Sequence, residues 1–128
     1  MVTNRQEVED NLESGQYKVL DARSHGRFVG EEPEPRPGVA GGHIPGSTSL
    51  PFMELLDGSV MKSESAIRDI LKTKGTNEDD QIITSCGSGV TAAVITLALE
   101  HVCMGTHKLY DGSWSEWGGD PDTPKSTT

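Results

Sequence analysis

The stretch QIITSCGSGVTAAVITLAL, residues 81–99, changes character halfway along. After Gln81 its first residues, Ile82 to Ser85, are β-branched or small, and the run is too short for a helix, which suits a parallel strand buried on both faces. Cys86 stands at the carboxyl end of that strand, and residues 87–89 turn the chain. From about residue 90 to 103 the pattern predicts a helix, apolar nearly all round (Val90, Ala92, Ala93, Val94, Ile95, Leu97, Ala98, Leu99) and therefore expected to be central and buried. Working outward, YKVLDA (residues 17–22) reads as a second buried strand opening into the polar loop RSHGR. Before it, Thr3 or Asn4 can cap a helix carrying Val8 and Leu12 on one face, stopped at Ser14 and Gly15. After it, residues 30–46 with Pro33, Pro35, Pro37 and Pro45, and Pro51 just beyond, exclude a long helix or strand. Ser63 can cap a helix bearing Ala66, Ile67, Ile70 and Leu71, closed by Lys72, Lys74 and Gly75. Asp57, Gly58 and Ser59 read as a turn, residues 108–111 as a last short strand, and residues 119–128 as a loose polar tail. Alternating short strands and helices give an α/β domain with a mostly parallel sheet, whose sites gather at the carboxyl ends of strands.

At 128 residues the chain is one domain's worth, with residues 1–119 expected to form it and 120–128 to trail from it. Twenty acidic against eleven basic side chains give a net charge of -9, which argues against nucleic-acid or anionic-membrane binding. An anionic substrate would need locally placed arginine. No apolar run approaches a membrane span, and residues 1–11 are polar and acidic, unlike a signal peptide. Cys86 and Cys103 lie in unlike settings without CxxC spacing, so neither a disulfide framework nor a zinc site is indicated.

Cys86 is the thiol with a chemical setting. A helix start leaves backbone N–H groups without intrahelical partners, and Gly87 and Gly89 allow unusual dihedrals that fold them inward around Sγ. The amides of Gly87, Ser88, Gly89, Val90 and Thr91 can then favour a thiolate, and the same cradle can hold a persulfide anion. Cys103, at the far end of the helix between Val102 and Met104, reads as an inert packing thiol.

Four ordered motifs, VLDARSHGRFVGEEPEPRPG, GHIPGSTSLPF, CGSGVT and LYDGSWSEWG, cover nearly the whole chain. Together they resemble the rhodanese sulfurtransferases, and among them the carboxy-terminal, catalytic domain of the 3-mercaptopyruvate sulfurtransferases. The resemblance implies a rhodanese fold, a central parallel five-stranded sheet flanked by helices, with Cys86 as the sulfur-carrying nucleophile. It implies no metal or organic cofactor. Thiosulfate-using members typically carry two basic residues after the cysteine; here they are Gly87 and Ser88. A neutral loop with distant arginines suits a monoanionic 2-oxo acid thiol better than a sulfonate dianion. By the family pattern those arginines are Arg27 and Arg36, each able to offer a planar fork to the carboxylate or ketone, and Ser88 is the loop serine that hydrogen-bonds the substrate or its departing enolate. Without the motif, a surface ion-pair cluster with Glu31, Glu32 and Glu34 would account for both arginines equally well.

Other polar residues read as structural. Arg23 is expected to brace its loop with Asp21, His43 to order the GHIPG turn through its ring nitrogens, and Trp114 and Trp117 to pack on one helical face. The expected reaction moves a sulfane sulfur from 3-mercaptopyruvate through a Cys86 persulfide to a thiol such as thioredoxin or to cyanide, releasing pyruvate. Its rivals are transfer from thiosulfate and a persulfide carrier loaded by a protein donor. A phosphatase of the C-x5-R type is excluded because the residue six after Cys86 is Ala92, which leaves a phosphate without its guanidinium. The mercaptopyruvate enzymes are tandem rhodanese domains, and this chain has the length of one, either a single-domain protein or part of such a pair. Two cysteines fit a reducing compartment, cytosol by default, with the mitochondrion as the alternative.

Overall fold

The order of chain elements, strands alternating with helices and one long irregular connection over residues 29–47, builds a main sheet in which every strand runs the same way. The computed structural model describes residues 2–87, 91–103 and 105–127. Strands β1 (Val2–Thr3), β2 (Lys18–Asp21), β3 (Thr48–Ser49), β6 (Gln81–Ser85) and β7 (Thr106–Tyr110) form one parallel sheet in the order β1-β7-β6-β2-β3. Asp21 is in register with Ser85, and Thr84 with Leu109, so the carboxyl ends of the three central strands share one edge. A small hairpin of β4 (Leu56–Asp57) and β5 (Val60–Met61) stands apart, its tip at Gly58 with φ 67 inside the stretch read as a turn.

Helices α1 (Arg5–Ser14), α2 (His25–Phe28), α3 (Glu64–Thr73), α4 (Ala92–His101) and α5 (Ser113–Trp117) and a 3-10 turn (Phe52–Leu55) complete the described elements. Asn4 caps α1 by accepting the Glu7 N–H at 3.1 Å, and Gly15 ends it in a left-handed conformation. Ser63 caps α3 through the Ala66 N–H, and Lys72 lies in its last turn. The short α2 lies where the sequence predicts a polar loop, and Ser24 caps it by accepting the Arg27 N–H.

Strand alternation divides the core. Leu20 and Ile82 join Leu55, Ile67, Leu71, Ile95 and Leu99 on one face of the sheet. Their neighbours Val19 and Ile83 join Val8, Ile44, Tyr110, Trp114 and Trp117 on the other. Both faces of β6 are thus covered, as its composition demands, and at about 25 cal/mol per Å² of apolar surface this two-sided burial is the main stabilising term.

Three expectations need correction. Helix α4 is not buried all round: Ala92, Ile95, Ala98 and Leu99 face the core, while Leu97 is 57% exposed. An outer layer has only one side against the sheet, so even an apolar helix there leaves a solvent face. Cys103 is not packed; it is exposed in the turn after α4 with φ 52, its Sγ 3.6 Å from the Glu100 carbonyl. The carboxy-terminal segment is not loose either. Ser126 pairs backbone to backbone with His43 at 2.8 and 2.9 Å, the Pro124 carbonyl accepts from Trp117 Nε1 at 2.8 Å, and Thr123 is buried. Polar composition concealed a segment that satisfies buried donors. No helix among the described residues is long and apolar enough to cross a membrane.

Candidate active site

Cys86 follows β6 directly, so the strand sets its position at the carboxyl edge. It is 1% exposed, and its backbone is tied to the neighbouring strand's exit. The Cys86 N–H donates to Ser113 Oγ at 3.0 Å, and the Cys86 carbonyl accepts the Trp114 N–H at 2.8 Å. One residue on, the Gly87 carbonyl accepts both the Ser115 N–H at 2.8 Å and the Ser115 hydroxyl at 2.5 Å. Ser113 itself is fully buried with φ 51, a conformation that costs a non-glycine residue about 1–3 kcal/mol, and its hydroxyl donates to the Tyr110 carbonyl at 2.7 Å with Sγ of Cys86 4.0 Å away. The start of the cysteine loop is therefore clamped by α5.

Gly87 does not adopt a left-handed conformation, so the dihedral argument for it is replaced by a spatial one. A Cβ there would stand 2.7 Å from Nη2 of Arg27. The missing side chain lets the guanidinium lie against the loop backbone. Thr91 precedes α4 as its cap residue, without a side-chain capping bond. Ser88, Gly89 and Val90 lie outside the described residues.

Arg27 projects from α2 and grips Glu34 with two contacts, Nη2 to Oε1 at 2.7 Å and Nε to Oε2 at 3.1 Å. That hydrogen-bonded carboxylate raises its pKa above the ordinary arginine value against the opposing effect of burial, with smaller contributions from Asp21 and Cys86 in the same direction. Arg27 is thus ion-paired, as the surface-cluster reading expects, and it also lines the cleft with 26% of its side chain exposed. Arg36 is exposed and has no ion-pair partner among the described residues. A cleft of about 270 Å³ brings Arg27, Glu34 and Arg36 together with Gly87, Thr91 and Ser115.

Behind this cleft Arg23 is fully buried. It takes Asp21 through Nε and Nη2, donates to the Gly42 carbonyl at 2.7 Å and to Glu34 at 3.3 Å, and lies 4.6 Å over the Trp114 ring. Gly42 has φ 104, and a Cβ would meet the Ser126 carbonyl at 2.5 Å, so only glycine serves. His43 is buried with Nδ1 2.6 Å from the Phe28 carbonyl and its ring stacked on Phe28 at 3.7 Å, a structural role like that expected. Trp114 and Trp117 share the second core cluster.

Sequence reasoning passed over Ser113, Ser115 and Glu34. The signal is present in LYDGSWSEWG, since a strand adjacent to β6 must deliver its exit to the cysteine loop. Glu34 was grouped with Glu31 and Glu32, which are exposed, whereas its own side chain is 3% exposed.

Cys86 stands at a parallel strand's end, buried beneath a cleft whose lining begins with the next residue, Gly87. The profile of the Rhodanese-like domain family matches residues 4–120. This chain belongs to the rhodanese-like family. It is 47% identical over 107 residues to a 3-mercaptopyruvate sulfurtransferase of Escherichia coli strain K12, covering 84% of this chain and 38% of that protein. It is 37% identical over 125 residues to thiosulfate/3-mercaptopyruvate sulfurtransferase 1, mitochondrial, of Arabidopsis thaliana, covering 97% of this chain and 33% of that one. The crystal structure of Tum1 protein from Saccharomyces cerevisiae superposes with a TM-score of 0.83 at 34% identity, covering 98% of this chain and 46% of that one. The rhodanese-like domain thus spans less than half the length of each of these relatives.

Proposed function

We propose that the domain is a sulfurtransferase that moves a sulfane sulfur from 3-mercaptopyruvate to a thiol or cyanide through a persulfide on Cys86. The observation that carries this reading is the meeting of Gly87, immediately after the nucleophile, with Arg27 and Arg36 in one cleft. The Cys86 thiolate attacks the donor's sulfur; an S–S bond forms, the C–S bond breaks, and its electron pair leaves on the carbon as pyruvate enolate. The thiol proton of the donor ends on that carbon, giving pyruvate. Attack of a second thiolate or of cyanide on the outer sulfur returns Cys86. Arg27 and Arg36 hold the donor's carboxylate and ketone oxygens, which fixes the reacting sulfur near Sγ and substitutes binding for collisional order.

The backbone amides of Gly87 to Thr91, including Ser88, Gly89 and Val90, are assigned to the persulfide anion, and the Ser88 hydroxyl to the departing enolate. The clamp from Ser113 and Ser115 supports this assignment by holding the start of the loop still. Thioredoxin, a low-molecular-weight thiol or cyanide is the proposed acceptor, and a second rhodanese domain the proposed neighbour, in keeping with the greater length of the relatives. Cytosol is the proposed compartment, with the mitochondrial relative supporting the alternative. Thiosulfate as donor is the second reading, favoured by the Arabidopsis relative's name. A carrier loaded only by a protein donor is the non-enzymatic rival.

Intact-mass measurement after brief incubation with each donor tests the reading. A one-sulfur gain on the wild type, absent in Cys86→Ser and larger with 3-mercaptopyruvate than with thiosulfate, is expected. A folded, alkylatable Cys86 that gains sulfur from neither donor refutes autonomous transfer by this domain.

A further inference from the structure

Glu34 is the acid that the sequence pattern hides. It sits between Pro33 and Pro35 in a segment without regular structure, and its carboxylate alone among Glu31, Glu32 and Glu34 turns inward. It joins Asp21, Arg23 and Arg27 in a line of alternating charge: Asp21 on Arg23 at 2.8 Å, Arg23 on Glu34 at 3.3 Å, Glu34 on Arg27 at 2.7 Å. The four charges sum to zero. Arg23 is already answered by Asp21 and the Gly42 carbonyl, so the second carboxylate acts chiefly on Arg27. Across the same cleft, Arg36 is the cation without an ion-pair partner among the described residues. The cleft therefore presents about one uncompensated positive charge, although it contains two arginines.

Stability alone is a poor reason for such an arrangement, because replacing a buried ion pair by apolar side chains is often neutral or favourable. Its geometric effect is definite. The two donors of one edge, Nε and Nη2, that Arg27 gives to Glu34 lock the guanidinium plane, with Nη2 held over the Gly87 backbone.

We propose that Glu34 is a positioning and specificity-determining residue, whose buried carboxylate orients Arg27 beside the cysteine loop and cancels its charge, so that the site takes a monoanionic sulfur donor and disfavours a dianionic one. A 2-oxo acid thiol bears one negative charge, at its carboxylate; thiosulfate bears two, close to the reacting sulfur. The inference rests on the sulfur-transfer reading above and adds to it the residue that selects the donor's charge.

The test uses the whole chain as wild type, Glu34→Gln and Glu34→Asp. Rates of one-sulfur gain on Cys86 are measured with 3-mercaptopyruvate and with thiosulfate at low donor concentration. Glu34→Gln is expected to raise the thiosulfate-to-mercaptopyruvate ratio about tenfold to a hundredfold, the order for one unit charge acting over about 6–8 Å at an effective dielectric of 20–40. Glu34→Asp keeps the charge and is expected to stay near the wild-type ratio. An unchanged ratio in folded Glu34→Gln, or an equal fall with both donors, overturns the proposal and leaves sulfur transfer standing. If the glutamine variant fails to fold or wild type takes sulfur from neither donor, protection of wild-type Cys86 from iodoacetamide decides. Pyruvate protecting at lower concentration than sulfate supports charge selection, and equal or reversed protection overturns it.

Discussion

Replacing Gly87 by alanine probes the contact on which the proposed site depends. The new methyl carbon would lie 2.7 Å from Nη2 of Arg27, well inside the roughly 3.5 Å of an ordinary contact. Of the two partners the arginine end yields, because Gly87 is tethered through its carbonyl to Ser115 at 2.8 and 2.5 Å. Moving the guanidinium by even one ångström breaks the 2.7 Å bond to Glu34, a carboxylate with little solvent to replace it. A hydrogen bond to a charged group contributes about 1.5–3 kcal/mol, and with Arg27 itself partly exposed the expected loss of stability is about 1–2 kcal/mol. The same displacement takes a guanidinium fork away from the donor's oxygens, for an expected tenfold to hundredfold fall in kcat/KM with 3-mercaptopyruvate. Urea unfolding and pyruvate release measure the two effects. A double-mutant cycle isolates the cause: in an Arg27→Met background the added methyl meets no guanidinium nitrogen, and Gly87→Ala should cost less than about 0.5 kcal/mol. Equal losses in both backgrounds, or wild-type stability and activity in the single variant, would refute the reasoning.

Arg23→Met leaves Asp21 and Glu34 without their shared cation and the Gly42 carbonyl without a donor, so unfolding in urea should show a loss of about 3–5 kcal/mol; less than 1 kcal/mol would mean that the network relaxes freely. Truncation after residue 119 removes the Ser126 pairing with His43 and the acceptor of Trp117 Nε1, and should destabilise by about 2–4 kcal/mol at roughly 1 kcal/mol per bond. Acidification should also weaken the fold. Glu7 is held below its ordinary 4.5 first by the Thr3 hydroxyl and then by Lys108, and Asp80 below its ordinary 3.8 first by the Asn77 N–H. A depressed carboxylate stabilises above its unfolded pKa and loses that contribution as pH falls through the folded one, so stability should hold from pH 7 to about 5 and decline below about 4.5. Glu7→Gln and Asp80→Asn should flatten that decline, and parallel curves for wild type and both variants would contradict it.

Much of this was legible along the chain. The caps Asn4 and Ser63, the strand ending at Ser85 and the proline-rich gap are local facts of hydrogen bonding and φ restriction, which neighbouring residues suffice to specify. Cys86 was legible for the same reason, since a strand end, a glycine turn and a helix start are consecutive in sequence. Misreadings fell where burial depends on what lies opposite. An apolar helix such as α4 has no way of stating that one of its sides meets water, and a polar segment such as 119–127 cannot announce that its carbonyls will answer Trp117 and His43.

The amino-acid order by itself determined the βα alternation and the place of Cys86 between a strand and a helix, because each follows from periodicity, caps or a contiguous motif, and it singled out Arg27 and Arg36 as candidates through the family pattern alone. Which acid neutralises which arginine was decided only by tertiary structure. Glu34 meets Arg27 and Arg23 over seven and eleven residues, and Ser113 meets Cys86 over twenty-seven, because parallel strands bring their carboxyl ends to one edge of the sheet. Pairing at that edge is a property of folded distance, and distance along the chain carries no record of it.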